Sequence, residues 1–233
     1  MIRAGPLLLL CLTLAPAAAA AASLGVAPTR LELRPGQTSG AITLENQAAS
    51  AVTLQVQAFA WASGTAASPD LADTRELIAV PPVFSLDPGR KQIVRVALRA
   101  PVAGGPERAY RLMISEVPIG AQGAGVHVTL RLSLPVFAIA PGTQAAAAWS
   151  LRGSRERPEL ELVNRGTAHL RVRRIELRGV PGDALLATIA APVDILAGQT
   201  QRWPLTVPAP SRLRLQADTD LGPLAAELAP PAG

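Results

Sequence analysis

Val126, Val128, Leu130, Leu132 and Leu134 are apolar, and His127, Thr129, Arg131 and Ser133 between them are polar. Strict alternation over that length suits an extended strand, whose successive side chains point to opposite faces. Shorter versions recur upstream at Val52-x-Leu54-x-Val56-x-Ala58, Val94-x-Val96-x-Leu98 and Tyr110-x-Leu112-x-Ile114. Turn signals separate them: Arg34-Pro35-Gly36, Asp87-Pro88-Gly89 and Gly104-Gly105-Pro106. The nearest thing to a helical run, Ala145–Ala148, is too short to nucleate a helix alone. The pattern predicts an all-β protein of sandwich type.

The alternation pauses at Ala140-Pro141-Gly142-Thr143 and then resumes in a thinner set. Leu160-x-Leu162, Leu170-x-Val172, Ile175-x-Leu177, Trp203-x-Leu205-x-Val207 and Leu213-x-Leu215 are its apolar pairs. Asn164-Arg165-Gly166 and Leu196-Ala197-Gly198 supply turns among them. Two sandwiches are therefore expected, 23–140 and 148–227, with a hinge at 141–147 and a frayed tail from 228 to 233.

Residues 1–22 stand outside this scheme. Arg3, an apolar run from Leu7 to Leu14 broken only by Thr13, Pro16, and Ala20-x-Ala22 before Ser23 describe a cleavable export signal. The run is short for a membrane span, and no second one follows. Cys11 is preceded by Leu10 inside the run, which argues against a lipid anchor, and its removal leaves no cysteine for a disulfide. The remaining chain of about 210 residues is long enough for two ordinary cores. Setting Arg3 aside from 22 basic residues leaves 21 against 17 acidic ones, a net +4. That excess comes from scattered arginines with a single lysine, Lys91, and shows no basic stripe interleaved with aromatics for nucleic acid.

Catalytic signatures are missing. No HExxH, GxSxG, P-loop or CxxC pattern occurs, so the chain reads as a non-enzyme without a cofactor. His127 and His169 fall in strand-like runs and read as ordinary hydrogen-bonding side chains. Asp70, Asp73 and Glu76 share a polar loop that in principle suits a cation, although most such loops bind none, and no metal is expected. A glycan-binding or adhesin-like envelope module is the competing class. It would want exposed aromatics, of which the chain has few: Trp61, Trp149 and Trp203 all suit core or hinge positions.

The order of several short motifs is more specific than any one of them. Val26-x-Pro28-Thr29-Arg30-Leu31 opens the exported chain, followed by the Asn46 strand, Pro81-Pro82-x-Phe84-x-Leu86-x-Pro88-Gly89 and Gln92-x-x-Arg95-Val96. Glu107-Arg108-x-Tyr110-Arg111-Leu112, Glu116-Val117-Pro118 and Leu132-Ser133-Leu134-Pro135-Val136-Phe137 come next. Leu160-x-Leu162-x-Asn164-Arg165-Gly166 and Asp220-Leu221-Gly222 complete the series. In this order they resemble the periplasmic pilus chaperones of the chaperone–usher pathway over nearly the whole exported chain. The Tyr-Arg-Leu and Leu-Pro-Val-Phe wording is more similar to the divergent, archaic branch.

That resemblance implies two immunoglobulin-like sandwiches in a boomerang, with a subunit-binding cleft between them. It implies a periplasmic chaperone that lends its G strand to a pilus subunit lacking a strand, and then hands that subunit to an outer-membrane usher. Val128, Leu130, Leu132 and Leu134 have the donor spacing, and burying each fully contributes about 1.5–3 kcal/mol before association costs. The alternative is that they fill the chain's own core. A subunit's terminal carboxylate needs a hydrogen-bonded cation. Arg30 matches the family's first basic position, whereas the usual lysine of the G strand is absent. Arg111, or else Arg131, is expected in its place. Glu107 and Asp220 match the acidic partners of an inter-domain ion cluster whose arginine is replaced by Ala140. An empty donor edge would be adhesive, and a self-capping dimer is one way to cover it.

Overall fold

The structure, a computed structural model, describes residues 24–64, 69–118, 128–154, 156–190, 192–206 and 212–229. The export signal at 1–22, His127 and residues 230–233 of the expected tail lie outside the described residues. Every regular element described is a strand.

The opening segment forms two strands, β1 (Leu24–Ala27) and β2 (Leu31–Leu33), parted at the cis Ala27–Pro28 bond. They belong to different sheets. After them come β3 (Ser39–Asn46), β4 (Val52–Gly64), β5 (Pro69–Asp73), β6 (Leu77–Val80) and β7 (Val83–Leu86). β8 (Lys91–Leu98), β9 (Arg108–Glu116) and β10 (Arg131–Ala138) complete the first sandwich. One sheet runs β1-β3-β8-β6 and the facing sheet β2-β10-β9-β4-β5, with β7 added on β4. Alternate residues of both sheets meet in one core, including Leu44, Val94, Val96, Leu112 and Val136, all essentially without solvent contact.

The second sandwich begins with β11 (Ala147–Gly153), β12 (Pro158–Asn164), β13 (Leu170–Val180) and β14 (Leu185–Ile189). β15 (Val193–Ile195), β16 (Thr200–Pro204), β17 (Arg212–Thr219) and β18 (Gly222–Leu228) follow. Its sheets are β11-β12-β16 and β14-β13-β17-β18, with β15 on β13. Leu160, Leu162, Leu177 and Leu215 form a separate core beside the stacked rings of Trp149 and Trp203. Two cores, one per strand set, are what the break in alternation requires. Leu228, expected as the start of a frayed tail, instead pairs with Leu213 at the end of β18 and is buried.

Candidate functional site

β10 carries the longest apolar alternation, and its two edges differ. Along its full length it pairs antiparallel with β9, from Arg131 opposite Ser115 to Ala138 opposite Arg108. On the other side β2 covers it, in parallel, only from Val136 to Ala138. Glu116 N–H donates to Leu130 O (2.9 Å), so the even-numbered residues of β10 bond to β9. The odd-numbered ones turn their backbone outward, as Ile139 N–H does in donating to Leu33 O (2.8 Å). From Arg131 to Pro135 that outward side has no strand partner among the described residues, a free edge of about 17 Å. Pro135 sits there at no cost to the ladder, because its missing N–H would have pointed outward.

Side chains grade along this stretch. Val128 is 85% exposed, Leu130 and Leu132 are half-buried, and Leu134 is buried in the first core. The expected strand thus starts later than its alternation suggests, since Val128 and Leu130 precede β10. Leu134, expected as a donor residue, belongs to the chain's own core because its even-numbered face there is roofed by the opposite sheet.

The free edge ends at two arginines. Leu31 is the first residue of β2 to pair with β10, opposite Val136, so Arg30 stands where the covered edge begins. Arg111 of β9 lies opposite Pro135, on the sheet face away from the core. A band of rings separates the two side chains. The Arg111 guanidinium lies 3.9 Å from the Trp61 ring, Trp61 packs on Phe137, and Arg30 lies 4.6 Å from Phe137. Leu196, from the second sandwich, closes over Trp61 and Phe137.

These two cations differ in how they are satisfied. All three nitrogens of Arg30 have partners: Nε donates to Glu32 (2.7 Å), Nη1 to Asp194 (2.5 Å) and Nη2 to the Nε2 of His169. Asp220 is 3.8 Å from Nη2. Arg111 is 95% buried, yet among the described residues its Nε and Nη2 have no hydrogen-bond partner. Burial pushes its guanidinium below the ordinary arginine range; nearby Asp194 opposes this, while Arg30 and Arg171 add to it. Unpaired, buried N–H groups leave this guanidinium short of acceptors that a carboxylate would supply.

The same cluster joins the two sandwiches. His169 stacks on Phe137, with ring centroids 3.7 Å apart. Since Nε2 faces a guanidinium that can only donate, Nε2 accepts and Nδ1–H donates to Glu107 (2.6 Å). Glu107 N–H also donates to Thr167 O (2.8 Å), and Asp194 is held by Arg171 (3.2 Å) as well as by Arg30. Two clefts flank the cluster, about 280 Å³ beside Trp61, Glu76 and Leu196, and about 470 Å³ beside Glu32, Gln144 and Asp220. Glu107 lines both.

Of the residues expected from sequence, Arg30, Arg111, Glu107 and Asp220 come together here. Arg131 does not: it is exposed at the start of β10, four residues or about 13 Å along the strand from Pro135. Sequence reasoning missed His169 and Asp194 as inter-sandwich groups, and Arg171 as the residue that holds Asp194. Its one signal was Ala140 in place of arginine, which says that a substitute is needed but not where it lies. Glu76 of the acidic loop is committed to Tyr110 Oη (2.7 Å) and Arg108 (3.2 Å). Among the described residues no three acidic, histidine or cysteine side chains gather as a metal site. Trp61 and Trp203 are buried and Trp149 is half-buried, so no exposed aromatic platform forms for a sugar.

Comparison with known proteins agrees with this architecture. The family model described as pili and flagellar-assembly chaperone, PapD N-terminal domain, matches residues 23–143. Among curated proteins none matches the sequence significantly. The fold is similar to the crystal structure of the CsuC–CsuE chaperone–tip adhesion subunit pre-assembly complex from archaic chaperone–usher Csu pili of Acinetobacter baumannii. That similarity has a TM-score of 0.64 and 20% identity, over 89% of this chain and 98% of the other. It is also similar to the Salmonella enterica SafA pilin–SafB chaperone complex (TM-score 0.60, 13% identity, 88% and 95% of the chains). The Pseudomonas aeruginosa CupB2 chaperone matches with a TM-score of 0.59 and 16% identity, over 89% of this chain and 100% of that one. With the family model spanning more than half of the sequence, and both sandwiches in place around the cleft, the chain belongs to the family of pili and flagellar-assembly chaperones.

Proposed function

We propose that this chaperone is periplasmic, that it binds pilus subunits by strand donation, and that it delivers them to an outer-membrane usher. The observation that carries the reading is the free edge of β10, bounded at one end by exposed Val128 and at the other by Arg30 and Arg111. A subunit segment pairing there adds backbone hydrogen bonds along Arg131–Pro135. With its C-terminus at the two arginines, that segment must run parallel to β10, continuing the direction that β2 takes in the same slot. Val128, Leu130 and Leu132 then reach into the subunit's groove, while Leu134 stays in the chaperone core. The terminal carboxylate is received by Arg111, whose Nε and Nη2 lack an acceptor among the described residues, with Arg30 alongside. Arg131 plays no part in that anchor. The likeness to a chaperone solved with its tip subunit supports the partner class, and the archaic origin of that complex matches the motif wording.

The test uses a short peptide of alternating valine and threonine, with either a free C-terminal carboxylate or a carboxamide. The wild-type protein is expected to bind the carboxylate form at least about tenfold more tightly, the scale of one charge-assisted bidentate contact. Arg111→Ala should erase that preference. An Arg111→Ala protein that keeps the full preference overturns the anchor, and a wild-type protein that binds neither peptide overturns the donor edge.

A further inference from the structure

Asp194 comes from β15 of the second sandwich, yet its carboxylate reaches the guanidinium at the end of the first sandwich's free edge. It is 5% exposed, lies 2.5 Å from Arg30 Nη1, and receives Arg171 Nη1 on both oxygens at 3.2 and 3.3 Å. Glu32 and His169 take the other two nitrogens of Arg30. Each nitrogen of Arg30 is therefore already engaged by one of this chain's own acceptors. An incoming carboxylate at the same guanidinium adds a further like charge beside Glu32 and buried Asp194, and the repulsion falls hardest on the buried one.

We infer that Asp194 is an internal stand-in for the ligand carboxylate, an autoinhibitory contact that must let go of Arg30 for the subunit's C-terminus to be held by both arginines. The inference rests on the carboxylate-anchor reading of Arg30 and Arg111. Arg171 makes the exchange workable: when Asp194 releases Arg30 it keeps one cationic partner within its own sandwich and is never left buried and unpaired. Because Asp194 and Arg171 sit on the second sandwich and Arg30 on the first, the same exchange also removes one tie between the sandwiches. Loading a subunit and loosening the hinge become one event, and the binding energy of the carboxylate is partly spent on opening.

The contact makes opposite predictions for its two partners. Asp194→Asn removes the competing charge and is expected to raise affinity for the free-carboxylate peptide about tenfold, leaving affinity for the carboxamide peptide unchanged. Arg171→Ala leaves Asp194 with Arg30 alone, tightens that pair, and is expected to lower affinity for the carboxylate peptide several-fold. Arg171 is about one-third exposed, so this variant supplies the measurement if Asp194→Asn does not fold. Suppose the wild-type protein prefers carboxylate over carboxamide, but Asp194→Asn binds no more tightly, or Arg171→Ala no more weakly. The inference then fails while the anchor reading stands. A wild-type protein indifferent to the carboxylate overturns both.

Discussion

Asn46 and Asn164 show how one residue type builds the same joint twice. Each is buried, and each side-chain amide donates to one loop carbonyl and one strand-end carbonyl, Ser50 and Leu86 for Asn46 and Ala168 and Ile195 for Asn164. Each backbone carbonyl accepts from the glycine of a following turn, Gly89 at 2.7 Å and Gly198 at 2.8 Å. Gly166 beside the second joint is fixed by space, since a Cβ there would lie 2.2 Å from Gln144 O. Asn164-Arg165-Gly166 was legible as a turn and Asn46 as part of a strand; the duplicated hydrogen-bond pattern was not, because one acceptor in each pair is more than thirty residues away. The other residue of note is Tyr110, the chain's single tyrosine. Burial, and then its hydrogen bond to Glu76, push its phenol from about 10 up to about 12. A raised phenol favours the folded state below pH 10, and that contribution drains away as the pH rises from about 10 to about 12. Absorbance of tyrosinate at 295 nm is therefore expected to appear near pH 12 in the native protein and near pH 10 in denaturant. A native transition near pH 10 would show that Tyr110 is neither buried nor held by Glu76.

β10 is the element on which function turns, and its sequence says two things at once. The alternation identifies a strand with one apolar face but cannot say which layer of the molecule, own core or partner's groove, each position on that face meets. Cross-strand coverage decides it residue by residue, and the coverage fades from Leu134 toward Val128. Stability and binding should separate along the strand accordingly. Leu134→Ala is expected to cost the free protein about 2–5 kcal/mol, read as a lower urea midpoint. Val128→Asp, at an 85% exposed site, should stay within about 0.5 kcal/mol of wild type while weakening the alternating peptide. Equal stability losses in the two variants would mean that Val128 is a core residue in solution. Pro135 illustrates the other ambiguity: proline inside a run usually demotes a strand, but here it marks the edge left open.

For the whole molecule, the question is what sets one sandwich against the other. The chain answers with a polar chain of contacts, Glu107 to His169 to Arg30 to Asp194, laid against the Trp61–Phe137–Leu196 cluster. His169→Phe keeps a ring able to stack on Phe137 but removes both hydrogen bonds. Spin labels on cysteines introduced at exposed Arg95 and Arg214, one per sandwich, should then report a broader distance distribution by electron resonance. An unchanged distribution would assign the domain angle to the aromatic packing alone. Sequence by itself determined the all-β class, the two cores, the break between them and the family, because alternation, turn chemistry and motif order are local properties of the chain. Only the tertiary structure decided that every nitrogen of Arg30 is engaged while two of Arg111 are unpaired among the described residues, that Arg131 is remote, and that His169 and Asp194 reach the first sandwich from the second. Those outcomes depend on which side chains converge from strands over a hundred residues apart, and no local pattern encodes a convergence of that kind.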